Sequence, residues 1–252
     1  MYLAKGDNMK RVVLITGSSS GVGREIVRKL APFYEVIIHY DNGYDRALKL
    51  KEELDSMYNR DVLMVKCDLS DEKEIDNMLT TIYNRYDNID ILINNAALVI
   101  DSIFEDKTKE NFMKILEVNL VAPFLLSKKI GLKMKENKYG VIVNVSSTNG
   151  IDTMYPEGLD YDASKAGLIN LSSNLANYFA PYVRVNTVCP GWINTEMTND
   201  LDEYFVKKEE DKILLGRFAE GEEIANLVNF LIGDEASYIN NSIIRIDGGK
   251  KC

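Results

Sequence analysis

Tyr161 and Lys165 stand four residues apart in "YDASK", at the start of an apolar helical segment. Positions i and i+4 share a helix face, so the phenol and the ammonium would be neighbours there. A phenol with an unperturbed pKa of ~10 is a poor acid–base group near neutrality, and a nearby cation can lower such a pKa by ~1–3 units. A tyrosine tuned in this way is an effective proton donor or acceptor. Ser147 lies 14 residues earlier, beside Ser146 in "NVSSTNG". A strand end, a short loop and a helix start can bring the hydroxyls to one place. The spacing is not decisive by itself. Tyr204 and Lys208 repeat it in "YFVKK", where a solvated helix face explains it.

A second chemistry is carried by "TGSSSGVG" at 16–23. Gly17, Gly21 and Gly23 allow a tight turn and let backbone N–H groups approach a pyrophosphate at the positive end of a helix. A plain glycine-rich turn is the simpler reading, but the first strand–helix turn is where a nucleotide is expected. The stretch lacks the Lys and Ser/Thr of a P-loop, which argues against an NTPase. "CDLSD" places Asp68 past the third apolar run, and "INNAA" places Asn94, Asn95, Ala96 and Ala97 past the fourth. Asp68 also reads as a helix N-cap, a role that Ser70 or Asp71 can fill. Asn119 interrupts the apolar helix "FMKILEVNLVAPF", at some cost in helix propensity. It is either exposed or there for a polar purpose.

The elements that must position these residues are legible as alternation. Seven apolar runs of strand length, "RVVLIT", "EVIIHY", "VLMVKC", "IDILINN", "GVIVNVS", "VRVNTVC" and "SIIRID", are separated by helix-period segments. Most are continuously apolar, as strands buried on both faces are. Between them apolar residues recur at helical spacing, as in Val22, Ile26, Val27 and Leu30, or Ile224, Leu227, Val228 and Leu231. The alternation predicts an α/β class: a single-domain Rossmann fold over 9–252, with a seven-stranded, mostly parallel, doubly wound sheet and helices on both faces. Residues 1–8 read as an unstructured extension. The polar stretch 194–220 has no clear strand character and reads as a lid over the sheet's carboxyl edge.

Composition sets the limits. A chain of 252 residues suits one large α/β domain. The net charge of -9, with acids and bases mixed, argues against a nucleic-acid surface and against a basic membrane patch. No apolar run approaches the ~18–20 residues of a membrane span. Cys67, Cys189 and Cys252 show no metal-like spacing and read as reduced thiols of a cytoplasmic protein. The one histidine, His39, lies in an apolar run and reads as a strand residue, so no His-rich metal site is expected.

Taken in order, "TGSSSGVG", "NNAA", Asn119, Ser147, "YDASK" and "PGWINT" resemble the short-chain dehydrogenase/reductase family, from Lys10 to Gly249. The tail, "LLGRFAEGEEIANLVNFLIGDEASYI" and "IDGG", is most similar to the bacterial 3-oxoacyl-(acyl-carrier-protein) reductases. Ala97 departs from the usual glycine of the family. The resemblance implies NAD(P)-dependent hydride transfer between a nicotinamide and a ketone or secondary alcohol. It implies that Tyr161 is the acid–base group, that Lys165 tunes it and bonds the nicotinamide ribose, that Ser147 holds the substrate oxygen, and that Asn119 places a water in a relay toward Lys165. The cofactor contacts it implies begin with Gly17, Ser19, Ser20, Gly21, Val22 and Gly23. They continue with Tyr40, Asp41, Asp68 and Leu69, then Asn95, Ala96 and Ala97, and end with Pro190, Gly191, Ile193 and Thr195, besides Tyr161 and Lys165. No metal is implied.

Asp41 beside Tyr40, and Ser20 where NADP-preferring relatives often carry a base, favour NAD(H) over NADP(H). The leading substrate is a 3-oxoacyl thioester, carried on acyl carrier protein. A polyol or sugar alcohol is the alternative, because Asp152, Tyr155, Glu157 and Asp160 predict a polar rim. Lys128, Lys129, Lys133, Lys135 and Lys138 could form a basic patch for an acidic carrier. A reading from another class is a catalytically silent dinucleotide-binding regulator, and the four filled catalytic positions count against it. A homotetramer or homodimer is implied, through the apolar helices around 112–130 and 163–178.

Overall fold

All seven apolar runs form strands in the computed structural model, which describes residues 10–250 except 197, 199 and 200. The extension at 1–8, Met9 and Cys252 lie outside the described residues. The strands are β1 (Val12–Ile15), β2 (Glu35–Tyr40), β3 (Leu63–Lys66), β4 (Ile91–Asn94), β5 (Gly140–Val145), β6 (Val183–Pro190) and β9 (Ile243–Ile246). They lie in the order β3-β2-β1-β4-β5-β6-β9, and every pairing is parallel. The chain winds outward from β1 in one direction and then, from β4, in the other. That reversal opens a crevice at the carboxyl ends of β1 and β4.

Alternate strand residues serve the two faces. Val13 and Ile15 pack with α1 (Gly21–Leu30), α2 (Tyr44–Tyr58) and α8 (Gly221–Ile232). Val12 and Leu14 pack with α3 (Glu72–Tyr83), α5 (Ala122–Glu136) and α6 (Leu159–Phe179). At ~25 cal/mol per Å² of apolar surface removed from water, these two layers supply the main drive for folding. Helix starts are set locally. Asp71 accepts the Lys73 N–H at the head of α3, so Asp68 is not the cap. Thr108 caps α4 (Lys109–Leu116) in the same way.

Three features depart from the sequence reading. The stretch 194–220 is not without strands: β7 (Ile193–Asn194) pairs in parallel with β8 (Ala219–Glu220), flanking α7 (Glu203–Glu210). The helix around Asn119 is not regular, because Glu117–Val121 forms a π turn between α4 and α5. The lysines of α5 do not gather beside the crevice. Lys129 pairs with Glu72 and Asp76, Lys133 lies over the Tyr83 ring, and Lys135 donates to the Tyr178 carbonyl. That helix runs away from the carboxyl edge and ends just before β5 begins, so its last turn belongs to the opposite edge.

Candidate active site

The loop after β1 is held by backbone geometry that only glycine tolerates. Gly17 has φ +62° and Gly21 has φ +52°. A Cβ on Gly23 would lie 2.3 Å from the Gly17 carbonyl oxygen and 2.6 Å from Asn95 Nδ2. Thr16 Oγ1 accepts the N–H groups of Asn95 and Ala96, each at 3.0 Å, which ties this loop to the end of β4. The Asn95 amide donates to the carbonyls of Thr16 and Gly17 at 2.9 and 3.1 Å, so it shapes the cradle from behind.

His39 is a buried strand residue, as its apolar run suggests, and it has a structural task. The Gly17 N–H donates to its Nδ1 at 2.9 Å, so the ring proton sits on Nε2 and is donated to the Cys67 carbonyl at 3.1 Å. Burial pushes its pKa down to about 4, keeping the ring neutral and able to accept. Ser18 adds to this lock by accepting the His39 N–H at 3.0 Å. No side chain caps α1 and no acid occupies its first turn, so its N-terminal N–H groups face the cleft uncompensated.

One cleft of about 1320 Å³ runs from this loop over the carboxyl edge. Every cofactor residue expected from the sequence lines it. Gly17, Ser19, Ser20, Gly21, Val22 and Gly23 form its floor at β1, and Tyr40, Asp41, Asp68 and Leu69 close one end. Ala96 and Ala97 stand at β4, and Pro190, Gly191, Ile193 and Thr195 line the far wall. Asp41 accepts from Asn42 Nδ2 at 2.7 Å, and burial together with Asp68 holds its carboxyl above the ordinary value. Asp68 is held below its ordinary value by bonds from the Ser70 hydroxyl and N–H.

Ser147, Tyr161 and Lys165 line the same cleft, on the end of β5 and the first turns of α6. Lys165 is 1% exposed; its Nζ donates to the Val145 carbonyl at 3.0 Å and lies 5.4 Å from the Tyr161 ring centroid. Burial lowers its pKa to about 8, so the ammonium is still charged at pH 7. The neighbouring cation does not by itself hold the phenol pKa down in this structure. Burial pushes Tyr161 up to about 12, and the bond to Ser147 opposes this only in part. The reason is that the same burial that brings the pair together also removes the water that would stabilise a phenolate.

Asn119 is the one expected catalytic residue whose side chain does not line the cleft. It is fully buried. Its Oδ1 accepts the Leu98 N–H at 2.7 Å, and its Nδ2 donates to the Leu98 carbonyl at 2.9 Å and to Ser164 Oγ at 3.1 Å. Its amide is thus a clamp between the segment after β4 and α6. Ser164 Oγ passes the contact on to the Tyr161 carbonyl at 2.6 Å.

The expected polar rim is partly corrected. Asp160 is buried against Lys107, and Asp152 is paired with Arg245 at 2.8 Å. Tyr155 and Glu157 do line the cleft. Tyr155 Oη donates to Glu209 Oε2 at 2.7 Å, and Trp192 Nε1 donates to Tyr155 Oη at 3.2 Å. Glu209, on α7, is 4% exposed. Burial opposes its ionisation, but bonds from Lys212, Tyr155 and Trp192 hold its carboxyl below the ordinary value. Trp192 also stacks on Phe218 at 5.5 Å and meets Phe205 edge-on at 5.6 Å. Sequence reasoning missed Glu209, Trp192 and Arg46. Arg46 lies on the outer face of α2 yet reaches the cleft beside Gly43 and Ser19, and its helical spacing carries no sign of this. Tyr204, by contrast, is an exposed surface residue. Among the described residues, no group of three or more His, Cys, Asp or Glu side chains is arranged to hold a metal ion. No described helix is long and apolar enough to cross a membrane.

Known proteins resemble this chain in sequence and in fold. A family model described as short chain dehydrogenase matches residues 11–204. A 3-oxoacyl-(acyl-carrier-protein) reductase of Aquifex aeolicus is 38% identical over 95% of this chain and 96% of its own. The enzyme of that name from Thermotoga maritima is 35% identical over 95% and 97%. Among solved structures, an acetoin dehydrogenase from Salmonella typhimurium superposes with a TM-score of 0.86 at 27% identity, covering 96% of each chain. A putative gluconate dehydrogenase from Agrobacterium tumefaciens gives 0.90 at 25% identity, again over 96% of each.

Proposed function

Since this chain belongs to the short chain dehydrogenase family of nicotinamide-dependent oxidoreductases, we propose that it reduces a 3-oxoacyl thioester, carried on acyl carrier protein, with NADH. The observation that carries the reading is the placement of the Tyr161 phenol and the Lys165 ammonium in one cleft with the dinucleotide cradle, the ammonium 5.4 Å from the ring centroid. At neutral pH the Tyr161 phenol is protonated and the Lys165 ammonium is charged. A site that delivers a proton to a ketone oxygen needs both. The thioester reading is supported by the reductases that match nearly the full chain at 38% and 35% identity.

The residues present fit a dinucleotide. The Gly17–Gly23 loop and the N-terminus of α1 would take the pyrophosphate, Asp41 a ribose hydroxyl, and Lys165 the nicotinamide ribose. When bound, the nicotinamide supplies the hydride. Ser147 holds the ketone oxygen by its hydroxyl, and Tyr161 donates the proton that this oxygen needs as it gains negative charge. Lys165 stabilises the phenolate left behind, so the donor becomes a stronger acid as the reaction proceeds. Asn119 acts by fixing Leu98 and Ser164 rather than by touching substrate. NADH is preferred because Asp41, with Asp68 close by, repels a 2′-phosphate, although Arg46 at the same end acts in the opposite sense.

A second reading has a specific observation behind it. Glu209, Tyr155 and Trp192 set a carboxylate and two hydrogen-bonding groups in the cleft, a lining suited to a hydroxylated substrate. Polyol or sugar alcohol oxidation is therefore the alternative. Both are tested by assaying an acetoacetyl thioester and a polyol panel with each cofactor. The expected result is thioester reduction with kcat/KM at least about tenfold higher for NADH than for NADPH, equivalent to ~1.4 kcal/mol. Polyol oxidation without thioester reduction would reverse the substrate ranking, and a preference for NADPH would remove the role given to Asp41.

We read 194–220 as the substrate lid, and a homotetramer or homodimer in the cytoplasm as the working form. Exposed Met113, Val121, Phe124 and Tyr178 on the α4–α5 and α6 faces support the assembly. Hydrogen exchange reads lid and assembly together. Residues 201–215 should exchange more slowly in the ternary complex than in the free enzyme, while dilution below the assembly range should expose α5 and α6. Equal protection of 201–215 in both states would remove the lid. Cell fractionation reads the location.

A further inference from the structure

The ion pair between Lys107 and Asp160 lies outside the chemistry described so far. It joins residues far apart in the chain and is buried, with side chains 7% and 1% exposed. Lys107 Nζ donates to both oxygens of Asp160, at 2.8 and 3.0 Å. Asp160 is the residue before Tyr161, and its Oδ1 also accepts the Tyr161 N–H at 3.0 Å. The N–H groups of a first helical turn have no partner within the helix. Here the partner of the Tyr161 N–H is a carboxylate that is itself pinned by an ammonium.

Lys107 follows a short 3₁₀ turn, Phe104–Asp106, on the segment that leaves β4. The other end of that segment is held by the Asn119 clamp on Leu98, which reaches α6 through Ser164, one residue before Lys165. The strand end that presents Ala96 and Ala97 to the cleft is thus stapled to α6 twice, beside Tyr161 and beside Lys165. Val99 and Asp101, between the staples, line the cleft.

We propose that Lys107 and Asp160 are positioning residues for Tyr161. Their ion pair fixes the first turn of α6 against the β4 segment, and so fixes the phenol relative to the floor of the cleft. It also neutralises a carboxylate directly next to the proton donor. The proposal rests on the reading of Tyr161 as the acid. Removing one partner of a buried ion pair leaves an uncompensated charge, which both displaces its neighbours and acts on the remaining titratable groups. The other charged or titratable groups around this end of α6 are Lys165 and Asp162 on the helix itself. Facing it are Glu157 on the turn just before the helix, and Tyr155 with the Glu209–Lys212 pair from the loop and α7. Among the described residues Lys107 is the one cation in ion-pair contact with Asp160.

The test compares Lys107→Met, Asp160→Asn and the double variant with wild type at a temperature where all are folded. Lys107→Met leaves the carboxylate alone beside Tyr161. It should lower kcat at least about tenfold, the scale of a small misplacement of a reacting group. Cofactor KM should stay within about twofold, and the pH–rate limb of the acid should move upward. Asp160→Asn leaves the ammonium alone and should move that limb downward. The double variant keeps an oxygen for the Tyr161 N–H without either charge and should restore the limb and most of kcat. If Lys107→Met does not fold, the opposite shift in Asp160→Asn carries the test by itself. Unchanged kcat and pH profiles in the single variants, or a double variant no better than either, overturn the proposal. Tyr161→Phe is run alongside. Retained turnover in that variant removes the acid–base reading itself, whereas an inactive Tyr161→Phe with wild-type Lys107→Met removes only the positioning role.

Discussion

Tyr161→Phe is expected to bind the nicotinamide cofactor within about twofold of wild type and to lose between about 100-fold and 10,000-fold in turnover, the range attributed to a positioned acid or base. The ring is kept, so its packing in the cleft is kept. What is lost is the hydroxyl that bonds Ser147 and, in the proposed reaction, donates to the ketone oxygen. The surroundings offer no substitute donor of the right kind. Ser147 is bonded to Asn149, Lys165 to the Val145 carbonyl, and His39 serves Gly17 at the other end of the cleft. Single-turnover kinetics with saturating cofactor separate the chemical step from binding. Wild-type rates in that measurement would show that the proton comes from elsewhere.

Lys165→Met should lose turnover on a similar scale and yet gain stability at pH 7. The wild-type ammonium is fully buried, and its pKa falls from 10.5 to about 8 on burial. At ~1.36 kcal/mol per unit, keeping it charged at pH 7 costs the fold roughly 3 kcal/mol. The sign follows from linkage. Below pH 8 both folded and unfolded chains bind the proton, and the penalty is constant. Between about 8 and 10.5 the unfolded chain holds a proton that the folded chain has released, so wild-type stability from this group rises with pH. Methionine has similar reach and no charge. The variant should therefore melt several degrees higher at pH 7, and the advantage should shrink as pH rises through that window. Some of the gain is lost because the Val145 carbonyl loses its donor. A variant less stable than wild type at pH 7 would mean that the buried charge is not the strain described here. A residue kept at a cost to stability, in a cleft, fits a functional role.

The sheet was readable because seven apolar runs each lack the alternation of a half-exposed strand, and parallel strands covered on both faces impose that composition. The cradle at Gly17, Gly21 and Gly23 was readable for a related reason. The left-handed backbone at Gly17 and Gly21 and the contact across Gly23 exclude side chains. Tyr161 and Lys165 were readable because the helix period places them on one face. These are local properties, encoded within a few residues of where they act.

What the sequence did not show depends on residues brought together from far apart. Glu209 on α7 meets Tyr155 from the loop before α6, and Lys107 meets Asp160 across the mouth of the sheet. Taken singly, each reads as a solvated polar or charged residue. An acid at a loop end is usually wet, which places Asp160 on an exposed rim when read from sequence, and only its partner makes burial tolerable. The α5 lysines looked like a docking patch because charge can be counted in a sequence, but the direction of their helix cannot. The clamp that Asn119 makes on Leu98 and Ser164 from a π turn also joins distant segments, and its own helical context does not announce it. The upward shift of the Tyr161 phenol has the same kind of cause. The sequence determined that a cation stands one turn from the phenol, but the loss of water around both groups is set by every element packed over them. Coulombic proximity is written in the spacing, whereas desolvation is decided by the tertiary fold, and at this site desolvation is the larger effect.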